Sequence, residues 1–297
     1  MALPEWPASL PAKPMREGLR GVAHAPGRRT PMESGQARAR ALGPRSPAAL
    51  DLGWRMTAEQ FSRFKAFYTG PLDRGTQWFT CPVWTGGEVA ARVVRFDGAF
   101  RAVPRAAAAV TVTARLTLRA LPYDDPGTEL LESFLDADGA PVWPDVLPLP
   151  LQEGTALDPH RPLPATDFET GPKAAINPFP PSPAEQPVRW SMSVEQFEIF
   201  KAFYFEALAQ GTVWCPLPLW FGIGLETVDA RFIGPWSFEP HKADRILVSA
   251  QLEQRKLAVA DEGTLALIDM MGFAGLSAFG PGIHGWVHET WPGVFEE

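Results

Sequence analysis

"FSRFKAFYTG" occupies Phe61–Gly70 and "FEIFKAFYFE" occupies Phe197–Glu206, so the pentapeptide FKAFY occurs twice, 136 residues apart. The same offset pairs Trp54 with Trp190, Gly75 with Gly211, Trp78 with Trp214 and Trp84 with Trp220. Residues 33–120 lie on 169–256 without a gap, and 33 of those 88 positions are identical. Further upstream, "WPASLPAKPMREG" from Trp6 resembles "WPDVLPLPLQEG" from Trp143 with one residue deleted. Two copies are too few for a solenoid, in which at least three repeats share a core. The expectation is therefore two units that each fold on their own, 1–122 and 142–258. An acidic linker, 123–141, joins them, and a C-terminal extension, 259–297, has no counterpart.

Within one unit, FKAFY reads as a helical stripe. Thr57 is placed to cap a helix, with Gln60 completing a capping box, and Ser193 with Gln196 repeats the arrangement. Phe61, Phe64 and Tyr68 then fall at i, i+3 and i+7 on one helical face, as do Phe197, Phe200 and Tyr204. The rest alternates with period two. "VTVTARLTLRA" puts Val110, Val112, Ala114, Leu116 and Leu118 on one face and Thr and Arg on the other, the pattern of a strand with one dry side. "ILVSAQLEQRK" from Ile246 repeats it. "EVAARVVRF", entered from Gly86-Gly87, the stretch Trp78–Trp84 and the segment leading into Trp54 are further strands. The expected unit is a small antiparallel sheet or barrel with one helix laid against it, and its core is marked by the recurring aromatic residues.

The whole chain bounds the function. Its 297 residues are 45% hydrophobic and 21% charged, a globular balance, and 32 prolines favour turns over long helices. The N-terminus lacks the apolar core of a signal peptide, and the most apolar stretch, "LALIDMMGFAGLSAFG", carries Asp269 and is shorter than a membrane span. A chain folded in a cytosol, with no membrane partner, is expected. The two cysteines, Cys81 and Cys215, are not at equivalent repeat positions, because Cys81 aligns with Leu217. A shared metal or disulfide framework is thereby disfavoured, and two buried thiols are expected.

Charge is not duplicated. Residues 1–120 carry 18 Lys+Arg against 8 Asp+Glu, which leaves 9 against 26 of the chain's 27 and 34 for residues 121–297. The first repeat is basic, and everything after it is acidic. No nucleophile elbow, P-loop, C-x-x-C or dinucleotide-binding glycine pattern occurs, so neither an enzyme nor a cofactor is expected. "HGWVHE" spaces His284 and His288 four apart, but Gly285 lies between them and Glu289 outside them, which does not suit a helical zinc site. Arginine in the first repeat is mostly not repeated in the second, so a specific nucleic-acid site is not indicated either.

In combination, "LPEWPASLP" from Leu3, "ESGQARAR" from Glu33, "WRMTAEQFSRFKAFY" from Trp54, "GTQWFTCPVW" from Gly75, "ARVVRF" from Ala91 and the closing alternating strand resemble the minor tail and distal tail proteins of long-tailed, lambda-type bacteriophages. The resemblance covers nearly all of each repeat. It implies a tail-tube-like β-sandwich or barrel with one flanking helix, assembled as a ring at the distal end of a virion tail after synthesis in the bacterial cytoplasm. Such a ring joins the sixfold tail tube to the threefold hub and leaves a channel through which DNA passes without a binding site. The chain departs from the usual single-unit member by fusing two copies. Three chains would then give six similar domains, a trimer with pseudo-sixfold symmetry, and six chains with one domain each in the ring are the alternative. Alternating basic and acidic units could pair opposite charges around such a ring. The extension, with Met270, Met271, Phe273 and Trp286, suits contact with a neighbouring tip protein or subunit, or equally cover over its own second unit. Tryptophan abundance also permits a carbohydrate-binding module, the second function kept in view.

Overall fold

The protein is described from a computed structural model, which covers residues 3–24, 27–30, 38–41, 47–105, 108–123, 127–156, 158–159, 165–166, 174–175, 184–221, 224–242 and 244–255. It is mainly β, dominated by a large antiparallel sheet. In chain order the elements are β1 (Arg20–Ala23), β2 (Gly27–Thr30), β3 (Arg38–Ala41), β4 (Ala48–Thr57), α1 (Ala58–Thr69), β5 (Phe79–Trp84), β6 (Val89–Phe96), β7 (Arg101–Pro104) and β8 (Ala109–Leu118). A short α2 (Gly127–Glu132) follows, then β9 (Asp158–Pro159), β10 (Ala165–Thr166), β11 (Ala174–Ala175), β12 (Ala184–Ser193) and α3 (Val194–Ala202). The chain closes with β13 (Cys215–Phe221), β14 (Gly224–His241) and β15 (Arg245–Gln254).

The 136-residue offset governs the hydrogen-bonding register as well as the sequence. β4 pairs with β8 from Ala48↔Leu118 to Thr57↔Ala109, and β12 pairs with β15 from Ala184↔Gln254 to Ser193↔Arg245. Phe79↔Val94 in β5–β6 becomes Cys215↔Ala230 in β13–β14, and Arg101↔Thr113 in β7–β8 becomes Ser237↔Ser249 in β14–β15. Even the small hairpins agree, since Thr30↔Arg38 in β2–β3 recurs as Thr166↔Ala174 in β10–β11. One local difference stands out: β6 and β7 are separate in the first repeat, whereas in the second they are fused into the long β14, with a register shift between Ile233 and Ser237.

Both helices begin as the sequence implies. Thr57 and Ser193 each close a reciprocal capping box, with Gln60 and Gln196 respectively. Each glutamine side chain also donates to a carbonyl of its own N-terminal segment, Ser9 at 3.2 Å and Val146 at 2.8 Å, which ties the "WP…LP" stretch to the helix start. On the core face, Phe64 and Phe67 of α1 are buried, while Phe61 and Tyr68 are only partly so. The core stripe thus includes the second phenylalanine of FKAFY, which the i, i+3, i+7 reading omits. In the second repeat Phe197, Phe200, Phe203 and Tyr204 are all buried, and beyond Ala202 the chain loosens into a π-helical turn over Phe203–Ala207.

After each helix the chain turns through three consecutive left-handed residues, Asp73, Arg74 and Gly75 (φ 44°, 57° and 89°), then again Ala209, Gln210 and Gly211 (φ 43°, 62° and 80°). Only glycine fits the third position in both. A Cβ on Gly75 would lie 2.9 Å from Tyr68 and from Phe96, and one on Gly211 would lie 2.9 Å from Tyr204 and 2.7 Å from Phe232. The turn therefore presses the FKAFY tyrosine onto the sheet.

The acidic linker is more than a solvated tether. Phe134 is fully buried against Phe203, with ring centroids 5.4 Å apart, and Leu130 and Leu131 pack on the same core. Glu129 and Glu132 lie on the exposed side of the short α2, whose Leu130 and Leu131 pack inward.

Replacing Gly75 or Gly211 by alanine is expected to cost each repeat upwards of about 1 kcal/mol, because left-handed backbone strain adds to the clash. In thermal unfolding, Gly98→Ala should cost less, since Gly98 is also left-handed (φ 94°) but has nothing within 4 Å of its would-be Cβ.

Candidate interaction surface

The recurring tryptophans divide into two kinds. Trp54 and Trp190 are buried and stack on Trp6 and Trp143, at 5.1 and 5.5 Å between centroids. Phe64, Phe197, Phe200 and Tyr204 are buried in the same core, and burial pushes the Tyr204 hydroxyl's pKa upward from its ordinary value. These residues build the fold.

Trp78 and Trp214 are half-buried and differ in kind. Trp78 is flanked by two guanidinium groups, Arg95 at 5.0 Å and Arg119 at 4.6 Å from the ring centroid. Trp214 is flanked by their counterparts, Arg231 at 4.4 Å and Arg255 at 5.2 Å. Each pair adds cation–π attraction, about 0.5–1 kcal/mol per contact at exposed sites and more where desolvated. The stack is not among the expectations drawn from the sequence. The signal that finds it is identity of all three positions across the repeat.

The two stacks differ in how their charge is met. In the second repeat, Glu253 is buried and accepts from Arg231 at 2.6–2.7 Å, and Asp229 lies 3.3 Å from Arg255. In the first repeat those acidic positions are Thr117 and Val93, and neither Arg95 nor Arg119 meets a carboxylate among the described residues. Hairpin β2–β3 from the first repeat lies over the second stack. Thr30, Arg38 and Arg40 face Thr212, Trp214 and Arg231 across a depression of about 620 Å³. Arg29 seals one side, 2.7 Å from Glu253 and 3.6 Å from Glu185.

That hairpin belongs to a broader junction between the repeats. β1 lies between β4 and β14, with Gly21↔Phe238, Val22↔Ser237 and Ala23↔Trp236 in register, so the sheet runs on from one repeat into the other. Glycine at 21 is required there, since a Cβ would sit 2.0 Å from the Phe238 ring. Trp84 packs on Phe238 at 5.7 Å, and the Gly86 turn covers Phe197, where a Cβ would fall 2.1 Å from the ring. The carbonyl of Pro122 accepts from the buried Lys201 at 2.7 Å, Glu198 pairs with the same amine at 2.7 Å, and Tyr123 hydrogen-bonds Glu206. Trp220, the counterpart of Trp84, instead donates to the carbonyl of Pro150 at 2.8 Å.

No group of three or more His, Cys, Asp or Glu residues suited to a metal occurs among the described residues. Cys81 and Cys215 are buried free thiols. Burial raises the Cys81 pKa and, with Asp229 nearby, pushes that of Cys215 up to about 12, so both are poor nucleophiles. Among the described residues no helix is long and apolar enough to cross a membrane. Met270, Met271, Phe273, Trp286 and the His284–His288 segment lie outside the described residues. No protein-family model matches the sequence, and no curated protein matches it either.

Removal of Glu253 leaves Arg231, itself 6% exposed, without its closest carboxylate. Glu253→Ala is expected to cost about 3–5 kcal/mol in chemical denaturation, the usual scale for breaking a buried pair. The matching change in the first repeat, Thr117→Ala, should stay near neutral because no pair exists there to break.

Proposed function

We propose that this chain is a structural component of a long-tailed bacteriophage tail tip, a distal-tail ring between tail tube and hub that leaves a DNA channel. Its partners in this reading are further copies of itself, the tail tube protein and hub or tip proteins, and its place is the virion. The reading assigns the chain no catalysis and no cofactor. Each repeat is taken as one tail-tube-like domain with one flanking helix, and a trimer supplies six of them.

The observation that carries the proposal is the junction between the repeats. A building block that joins its own copy edge to edge, with the sheet continuing through the joint, is suited to being laid down repeatedly around a closed path. The motif resemblance supplies the biological setting. The charge asymmetry fits as well, since Arg29, with Glu253 and Glu185, joins the basic repeat to the acidic one. Glycan binding finds less support, because two guanidinium groups lie over each of the half-buried rings of Trp78 and Trp214, which are therefore not laid open as sugar platforms.

Negative-stain microscopy and light scattering of the full-length protein test this directly. The expected result is annular particles with a central hole and a mass near that of three 32.5 kDa chains. Only monomers at high protein concentration, or compact particles without a hole, would overturn the ring. Selective binding on a glycan array by the monomer would favour the carbohydrate-binding alternative.

A further inference from the structure

The second repeat shows what an arginine–tryptophan stack takes as counter-charge, and the first repeat has the same stack with that counter-charge removed. Arg231 stands opposite Glu253 in the β14–β15 ladder, and Arg95 stands opposite Thr117 at the translated position of β6–β8. Asp229 and Val93 are likewise equivalent, each two residues before its arginine and so on the same strand face. The two stacks also differ in cover. Hairpin β2–β3 lies over the Trp214 stack, Arg29 pairs with Glu253, and Arg231 is buried. At Trp78, in contrast, Arg95 and Arg119 are exposed and Thr117 is half-buried. Asp51 and Asp97, on the same sheet face, are both taken by Arg115, at 4.0 and 3.4 Å.

We propose that the Arg95–Trp78–Arg119 stack is a docking seat for an acidic segment of a partner polypeptide, whose carboxylates take the place that Glu253 and Asp229 fill in the second repeat. The chemistry of the seat allows both contacts at once. A guanidinium laid over an indole keeps the N–H donors in its own plane free for a carboxylate. Arg231 does both, lying 4.4 Å from the Trp214 centroid while donating to Glu253 at 2.6–2.7 Å. Stacking also holds Arg95 and Arg119 before a ligand arrives, so less side-chain freedom is lost on binding. A single exposed ion pair is too weak to retain a partner. Two guanidinium groups on one ring therefore call for at least two carboxylates on one chain, the complement that Arg231 and Arg255 receive.

The surroundings favour carboxylate over nucleic-acid phosphate. A phosphate backbone is held by a track of free cations, since its affinity grows with the number of charges neutralised. Here the next cation along β8 on the same face, Arg115, is already neutralised by Asp51 and Asp97, so the uncompensated charge is confined to one ring and its two arginines. The covered stack gives the rule of complementarity. Where the seat contains a buried glutamate, the group that arrives over it is an arginine, Arg29. Where the seat has only arginines, the group that arrives must bring the acid.

The seat goes beyond the tail-ring reading and does not rest on it: rings built from a protein with no affinity for acidic peptide would end this inference alone. Isothermal titration of the full-length protein with a short polyglutamate peptide tests it, beside an oligothymidylate of equal charge, with circular dichroism as the check on folding. The parent should bind the peptide more tightly than the oligonucleotide. Arg95→Ala and Arg119→Ala should each weaken peptide binding about fivefold, whereas Arg92→Ala, at an exposed arginine on the other face of β6, should change it less than about twofold. Thr117→Glu writes the glutamate of the second repeat into the first. It should weaken the peptide at least about tenfold by filling the seat from within, and raise the melting temperature by about 1–3 °C with no peptide present. No binding by the parent, equal losses from Arg92→Ala and Arg95→Ala, or peptide binding untouched by Thr117→Glu would overturn the seat. Tighter binding of the oligothymidylate would overturn it too, by assigning the stack to phosphate.

Discussion

Everything in this molecule depends on one ladder used twice, the antiparallel pairing of the strand entering the helix with the strand that closes the repeat. β4 on β8 and β12 on β15 each hold ten residues in register, and each puts its tryptophan, Trp54 or Trp190, onto the dry face. Slipping either ladder by one residue would turn that face to water and empty the seat on which the FKAFY helix lies. The capping box fixes where the helix starts, the left-handed turn fixes where it stops, and the sheet below fixes which rings point inward. Burial of these aromatic side chains, on the order of 1.5–3 kcal/mol each, makes the ladder worth forming.

Much of this was legible in the sequence because it is periodic. The period-two alternation of Val110–Leu118 gave the closing strand, and the S/T-x-x-Q spacing gave both helix starts. What stayed hidden was nonlocal. Nothing in "RGVA" announces that β1 will bridge two repeats, since a four-residue strand has no periodicity to read and its partner Phe238 is more than 200 residues away. Phe134 lay inside an acidic stretch whose composition suggested solvent, yet a single large ring outweighs several carboxylates that can point outward. The arginine–tryptophan stacks needed three strands to be brought side by side before Trp78, Arg95 and Arg119 became neighbours.

The divergence between the repeats is as informative as their likeness. Where the two meet within the chain, residues have adapted as a set: glycine under phenylalanine, a buried lysine beneath the linker, glutamate for the arriving arginine of the hairpin. At the equivalent positions of the first repeat the arginine–tryptophan stack persists, but Thr117 and Val93 stand where Glu253 and Asp229 stand in the second.

Amide hydrogen exchange followed across protein concentration tests this account most directly. Residues 20–23 and 236–238 should be protected at every concentration, since their joint is intramolecular. Residues 48–57 and 109–118, the ladder of the first repeat, should be protected alongside them. Free exchange at 20–23 and 236–238, or protection there that appears only as concentration rises, would contradict it.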